Sequence, residues 1–246
     1  MRAFLYLKDT PHYRRDAFQA GLHAAGLSLC TDATRADLLV TWNRHGYGNS
    51  LATQAERRGA PVIVAENGYL GSEHGGRKWF ALSLSHHNGA GHWCVGGPER
   101  WQSLGIELKS WRTDGAEIVY LPQRGIGEPG IAMPRGWSPS LKCSELPIRT
   151  RSHPGIRACK PLLEDLEHAA GVITWGSGAA IKALAAGIPV QYGFARWIGA
   201  LAARPIGSGF VRDDARRKQM FERLAWAQWT AEEIASGEPF ARLLTA

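Results

Sequence analysis

Residues 171 to 190 read GVITWGSGAAIKALAAGIPV. An apolar run, a Gly-Ser-Gly turn, a stretch of small helix formers, a glycine stop and a second apolar run follow in that order. This is the pattern of a strand, a helix and a second strand. Two strands joined by a helical crossover pair in parallel, and the helix then covers one face of their sheet. The same order recurs along the chain. Apolar runs bounded by turn residues lie at 4–7, 37–42, 61–66, 79–84, 117–121, 148–152, 171–175 and 188–192, and helix-compatible segments at 14–25, 50–58, 161–170 and 179–186. The alternation predicts an α/β protein with parallel sheets covered by helices.

The middle of the chain breaks the rhythm. Residues 86–111 are rich in Gly, His and Trp, and residues 125–147 carry four prolines in irregular sequence. A boundary at residues 112–116 gives two Rossmann-like lobes, 1–113 and 114–246, facing each other across an interlobe cleft. At the end of the chain, 212–236 reads as one long helix with apolar Met220, Phe221, Leu224, Ala225, Trp229 and Ile234, stopped by Gly237 and Pro239.

Composition narrows the partners. Among 246 residues, 29 Lys and Arg against 22 Asp and Glu leave a net charge of +7, which fits either a polyanionic partner such as nucleic acid or a phosphorylated ligand, or a merely basic surface. No apolar run approaches the ~20 residues of a membrane span, so none is expected. The opening MRAFLYLKDTPHYRRD has too short an apolar core for a signal peptide, and a cytoplasmic location is expected. Cys30, Cys94, Cys143 and Cys159 form no CxxC pair and are expected to be reduced and structural.

In open α/β sheets ligands bind beyond the carboxyl ends of the strands, so the residues just after each strand carry the functional information. Here they are polar: Asn43-Arg44-His45-Gly46, Glu66-Asn67-Gly68-Tyr69 and Ser85-His86-His87-Asn88-Gly89 in the first half, and Gln123-Arg124-Gly125, His153-Pro154-Gly155, Gly176-Ser177-Gly178 and Gly193 in the second. Ser177 suits a helix cap and the turn's amides suit a phosphate; a tight β–α turn with no ligand explains the same residues. Arg124 and His153 follow two other strands of that half and add positive charge.

Three other matches fail on inspection. Gly125-Ile-Gly127-Glu-Pro-Gly130 fits GxGxxG, but Pro129 and Pro134 obstruct the helix that the dinucleotide fingerprint needs. The stretch 71–78 imitates a phosphate loop, yet Arg77 stands in the lysine place. His86, His87, His92 and Cys94 match no structural zinc spacing, and no metal is expected. Trp93, Trp101, Trp111 and Trp137 lie in irregular segments and are candidates for stacking on a ligand, whereas Trp226 and Trp229 are expected to pack the terminal helix.

Residues 171–190, with RTRSHPG at 149–155 and LPQRG at 121–125, resemble the nucleotide-sugar lobe of GT-B glycosyltransferases, including capsule-polysaccharide and bacteriophage types. The ending LAWAQWTAEEIASGEPF resembles the last helix of such proteins, which crosses back onto the first lobe. The resemblance implies a metal-independent hexosyltransferase. Its donor, a nucleotide sugar such as UDP-glucose, would be held by Arg124, His153, Gly176, Ser177, Gly178 and Lys182. Many such enzymes carry an acidic residue where this chain has Lys182, so ribose recognition would differ. By the same resemblance 1–113 is the acceptor-side lobe, with Arg44, His45, Asn67, Tyr69, His86 and Asn88 at the acceptor.

Transfer requires a base for the acceptor hydroxyl and stabilisation of the leaving diphosphate. Glu66 is the first candidate base and His87 the second, with Asp9 behind them; a carboxylate satisfied by nearby backbone amides is the other reading of Glu66. The basic charge and the phage likeness point to a hydroxymethylated pyrimidine in DNA as acceptor, with Arg44 and Arg77 on the rim of the site. A capsule or surface polysaccharide is the alternative, and a non-catalytic nucleotide- or DNA-binding module of the same fold is a third.

Overall fold

The computed structural model describes residues 1–137, 145–154, 156–157 and 160–245. Gly155, Cys143 and Cys159 lie outside the described residues. In chain order the first elements are β1 (Arg2–Tyr6), α1 (Arg15–Ala24), β2 (Ser28–Leu29), β3 (Leu38–Trp42), α2 (Tyr47–Arg57), β4 (Val62–Asn67), β5 (Glu73–His74) and β6 (Arg77–Leu84). Next come α3 (Glu99–Ser103), β7 (Glu117–Leu121), β8 (Ile148–Thr150), α4 (Leu162–Asp165), β9 (Ala169–Thr174), α5 (Ala179–Ala185), β10 (Val190–Tyr192) and β11 (Arg204–Pro205). The chain ends with α6 (Asp214–Ala225), β12 (Gln228–Thr230), α7 (Ala231–Ser236) and α8 (Glu238–Thr245). Each apolar run singled out in the sequence is a strand.

Two compact units result, Met1–Gly96 with Ala225–Ala246, and Gly97–Leu224. The sequence pattern places its boundary at 112–116 instead. Residues 97–112 join the second unit because their backbone is tied there: the Lys109 amide donates to the Ala185 carbonyl at 3.0 Å and the Arg112 amide to Gly187 at 2.8 Å. Trp101, buried, also packs on Phe221 with ring centroids 5.0 Å apart.

The first unit holds a mixed sheet of order β12-β6-β4-β3-β1-β2, with β5 paired to β6. Strands β2, β1, β3 and β4 are mutually parallel, whereas β6 is antiparallel to β4 and β12 antiparallel to β6. One face buries Leu5, Phe80, Leu82 and Trp229 against Phe18 and Leu22 of α1, Ile234 of α7 and Phe240 of α8. The other buries Leu39, Val62 and Val64 against Leu51, Ala52 and Ala55 of α2. Gly21 lets α1 approach α7 closely, since a Cβ there would overlap the Ile234 carbonyl.

The single helix expected over 212–236 is three elements. Gln228-Trp229-Thr230 leaves the helical path to pair with Ala81, Phe80 and Trp79 of β6, which buries Trp229 completely. Thr230 then starts α7 with a capping box: its hydroxyl accepts from the Glu233 amide at 3.2 Å, and the Glu233 carboxylate accepts from the Thr230 amide at 2.7 Å. The helix expected over 161–170 is also shorter, because Ala169 and Ala170 already belong to β9.

The second unit is built on a fully parallel sheet of order β11-β10-β9-β7-β8. Arg217 of α6 fastens it from one side. Its buried guanidinium lies 3.9 Å from the Trp111 ring centroid, donates to the Lys109 carbonyl at 2.9 Å and pairs with Asp214 at 2.8 Å. Among the described residues no helix is long and apolar enough to cross a membrane.

Candidate functional site

Parallel pairing puts the carboxyl ends of β7, β8 and β9 on one edge of the second unit's sheet, so Arg124, His153 and the Gly176-Ser177-Gly178 turn all follow strands that end there. The turn is braced from below. The Thr174 hydroxyl donates to the Leu121 carbonyl at 3.1 Å and accepts from the Ser177 amide at 2.9 Å, and the Ser177 hydroxyl accepts from the Ala179 amide at 3.1 Å. Gly176 is buried, and a Cβ there would stand 3.3 Å from Phe194 and Trp197. Close packing accounts for that glycine.

The charge at this edge is positive. Arg124 is exposed and has no ion-pair partner among the described residues. The half-buried His153 ring has its pKa lowered first by burial and then by the charges of Arg124 and Arg151, which places those cations within electrostatic reach of it. Arg151 is itself buried and neutralised by Asp165 at 2.6 Å, a carboxylate it shares with Arg149. Among the described residues Arg124 is therefore a cation there with no carboxylate paired to it. Lys182, one turn into α5, is half-buried, and burial alone lowers its pKa.

Aromatic rings close the same edge. Trp137 lies 5.6 Å from Tyr120 and 5.3 Å from Trp175, while the Trp175 indole donates to the Ile131 carbonyl at 2.8 Å. These contacts hold residues 131–137 on the sheet end. Of the tryptophans expected to face a ligand, Trp101 is buried against Phe221, while the half-buried Trp111 and Trp137 lie against Arg217 and Trp175. Trp93 is half-buried.

In the first unit β1, β3 and β4 end together, which brings Tyr6, Asn43, Glu66 and Asn67 to one edge. Glu66 is half-buried, and Asn67 and His45 are exposed. His86, His87 and Asn88 were expected at this edge as well. The reversal of β6 puts their attachment at the other: Leu84 pairs with Ile63 at the start of β4, and the Ser85 amide donates to the Val62 carbonyl at 2.7 Å. The segment then folds back, and Leu84 bridges His92. Its Asn88 backbone meets the hydroxyl of buried Tyr69, whose pKa is raised by burial and by the charge of Glu66.

Arg44 fixes this arrangement. Expected on an exposed rim, it is 5% exposed and forms a two-pronged ion pair with Glu56 at 2.6 and 2.9 Å. It also donates to Asn49 at 3.0 Å and to the Ser85 carbonyl at 2.7 Å. Its charge is spent inside the protein, so the rim role is corrected; Arg77, at the start of β6, is exposed. Asn43, Ser85 and Asn88 all take left-handed backbone conformations in these loops, the kind of local strain that gathers at functional sites.

The two histidines are stacked, with ring centroids 4.4 Å apart, and the His87 amide donates to His86 Nδ1 at 2.9 Å. Burial pushes both pKa values down to about 4, helped in His86 by the neighbouring His87 and in both by Arg44. His86 Nε2 and His87 Nδ1 are buried with no hydrogen-bond partner among the described residues. Such a ring is neutral at neutral pH. Asp9 is exposed in the loop after β1. The described residues hold no group of three or more His, Cys, Asp or Glu side chains placed for a metal.

Sequence reasoning missed the aromatic residues of this edge. Tyr6 and Tyr47 meet edge to face with centroids 5.5 Å apart, and Tyr13 and Trp42 at 4.7 Å. The helix α2 starts at Tyr47, three residues before the segment read as helical, and that earlier start brings Tyr47 beside Tyr6.

No family model and no curated protein matches the chain. Among solved structures, it matches the β-Kdo 2,7 transferase of KpsC from Thermosulfurimonas dismutans, at 14% identity and a TM-score of 0.58, over 100% of this chain and 99% of that one. The likeness is one of fold. The β-Kdo 2,4 transferase of the same KpsC matches at 14% identity and a TM-score of 0.50, over 92% and 90% of the two chains.

Proposed function

We propose that the protein transfers a sugar from a nucleotide-sugar donor to a hydroxyl of a surface or capsule saccharide. The observation that carries this reading is the edge of the parallel sheet where Arg124 and His153 follow adjacent strands beside the Ser177 turn. An exposed cation with no ion pair among the described residues, next to a braced β–α turn, suits a diphosphate. A glycosyltransferase-like fold spanning the whole chain supports the choice of reaction.

In this scheme Arg124 and His153 bind the diphosphate and stabilise it as it leaves, and Lys182 adds charge where a ribose-binding acid would otherwise stand. Glu66 takes the proton of the acceptor hydroxyl. The neighbouring Tyr69 hydroxyl stays protonated at neutral pH, because burial and the Glu66 charge both raise its pKa. It is thus a hydrogen-bond donor and not a rival base. A saccharide is favoured over DNA as acceptor because Arg44, one of the two cations expected to meet phosphates, is buried in its pair with Glu56.

The test is mass spectrometry of saccharide acceptors and of hydroxymethylated DNA, each incubated with the protein and a panel of nucleotide sugars that includes UDP-glucose. Sugar added to a saccharide and lost in Glu66→Gln, with donor binding retained, is the expected result. Sugar added to DNA alone selects the other acceptor. No transfer and no donor hydrolysis across the panel leaves a binding module.

A further inference from the structure

We infer that Tyr6 and Tyr47 form a shelf for the second sugar of an acceptor chain, so that the acceptor is an oligosaccharide and not a single sugar. The inference rests on the transferase reading above. Both rings are exposed, Tyr47 at 63% and Tyr6 at 38%. They meet edge to face at 5.5 Å, so each ring limits the motion of the other. Tyrosine pairs a flat apolar ring with a hydroxyl and gives up little conformational freedom on binding. A pyranose presents a matching surface, with an apolar C–H face and a rim of hydroxyls.

Strand register relates the shelf to Glu66. Tyr6 pairs with Thr41 and Thr41 with Val64 across β1, β3 and β4, so these side chains share one face of the sheet. Glu66, two residues beyond Val64, lies on that same face. Two strand spacings across and two residues along separate the Cα atoms of Tyr6 and Glu66 by about 12 Å. One sugar ring does not bridge that separation; two linked rings do. With the reacting hydroxyl at Glu66, the next ring along the chain lies at the tyrosines. Polar neighbours suited to a carbohydrate, exposed Asn67 and His45, occupy the same edge.

The test is a binding titration of the full chain by NMR or calorimetry. The probes are galactose and lactose, Kdo and a β-linked Kdo disaccharide, and a short duplex bearing hydroxymethylcytosine. For at least one sugar pair the disaccharide is expected to bind wild type about five-fold more tightly than its monosaccharide. Tyr47→Ala and Tyr6→Ala remove that gain and leave the monosaccharide unchanged, while Tyr47→Phe keeps it. Equal affinity for one ring and two in both pairs, an unchanged ratio in both alanine variants, or a duplex as the ligand that shifts these tyrosines overturns the shelf. Donor hydrolysis is read separately. Hydrolysis with a flat ratio sinks the shelf and leaves the transferase standing; a two-ring preference without hydrolysis under any nucleotide sugar does the reverse.

Discussion

The two sheets end in polar edges of similar composition but opposite electrostatic state. At the edge of the second unit Arg124 is exposed and unneutralised, whereas in the first unit the corresponding arginine, Arg44, is enclosed by Glu56, Asn49 and Ser85. An arginine after a strand is thus not by itself an anion site. Its use depends on whether a carboxylate lies within reach of a seven-atom side chain, and here Glu56, nine residues into α2, does. One edge keeps an exposed cation with no ion pair among the described residues, and the other has consumed its charge in holding a loop.

Breaking the internal pair gives the largest expected effect. Glu56→Ala leaves the Arg44 guanidinium buried without its carboxylate and is expected to cost about 3 kcal/mol of stability, read as a lower denaturant midpoint. The carboxylate is partly exposed, so Glu56→Gln, which keeps a hydrogen-bond acceptor, should cost clearly less. A midpoint unchanged in Glu56→Ala would mean that the pair contributes nothing and that the contrast between the edges is only apparent.

The mirror experiment is Arg124→Ala. An exposed side chain with no ion pair among the described residues contributes little to stability, within about 0.5 kcal/mol, while loss of a charged hydrogen bond to phosphate weakens donor binding by about 1.5–3 kcal/mol. Calorimetry with a nucleotide sugar and thermal unfolding of the same variant separate these effects. An unchanged donor affinity would place the donor elsewhere.

Acidification sharpens the contrast further. His86 and His87 have folded-state pKa values near 4 against an ordinary value of 6.5, so between those limits the unfolded chain binds more protons than the folded one. Their contribution is complete above about pH 6.5 and is lost as the pH falls toward 4. The denaturant midpoint should therefore drop between pH 7 and pH 5, and His86→Gln should flatten that drop. His153 shifts in the same direction, but its shift owes part of its size to Arg124, so Arg124→Ala should raise the His153 pKa in an NMR titration.

The smallest effect is expected at Lys182. Replacing this half-buried cation by methionine removes a desolvation cost, so stability should rise slightly or stay level, with a change within about 0.5 kcal/mol. Donor affinity should fall less than in Arg124→Ala. A larger fall would make Lys182 the principal phosphate contact.

How far the sequence could be read follows from the same contrast. In the second unit each apolar run pairs in parallel with its neighbours, so the rule that functional residues follow strands put Arg124, His153 and Ser177 on one edge without further information. In the first unit the rule failed for one strand. The run 79–84 reads as a strand, but its apolar pattern is the same in either direction, and its antiparallel pairing moves the attachment of the segment that carries His86, His87 and Asn88. A signal for this existed: only a short turn-rich segment, Gly68 to Gly76, separates it from β4, too little for a helical crossover. The broken terminal helix also had a signal, since Thr230 and Glu233 have the capping-box spacing.

The sequence by itself determined the α/β class, the strand segments and the turn chemistry, because these depend on periodicity, on glycine and on capping residues within a few positions of one another. Tertiary structure decided which edge a loop joins, which tryptophans pack internally, and whether an arginine is spent or free. Those outcomes depend on pairs far apart in the chain, Arg44 with Ser85, Trp111 with Arg217, and β6 with β12. Local pattern carries no record of such partners, since burial and charge pairing are set by what the rest of the chain brings to the same place.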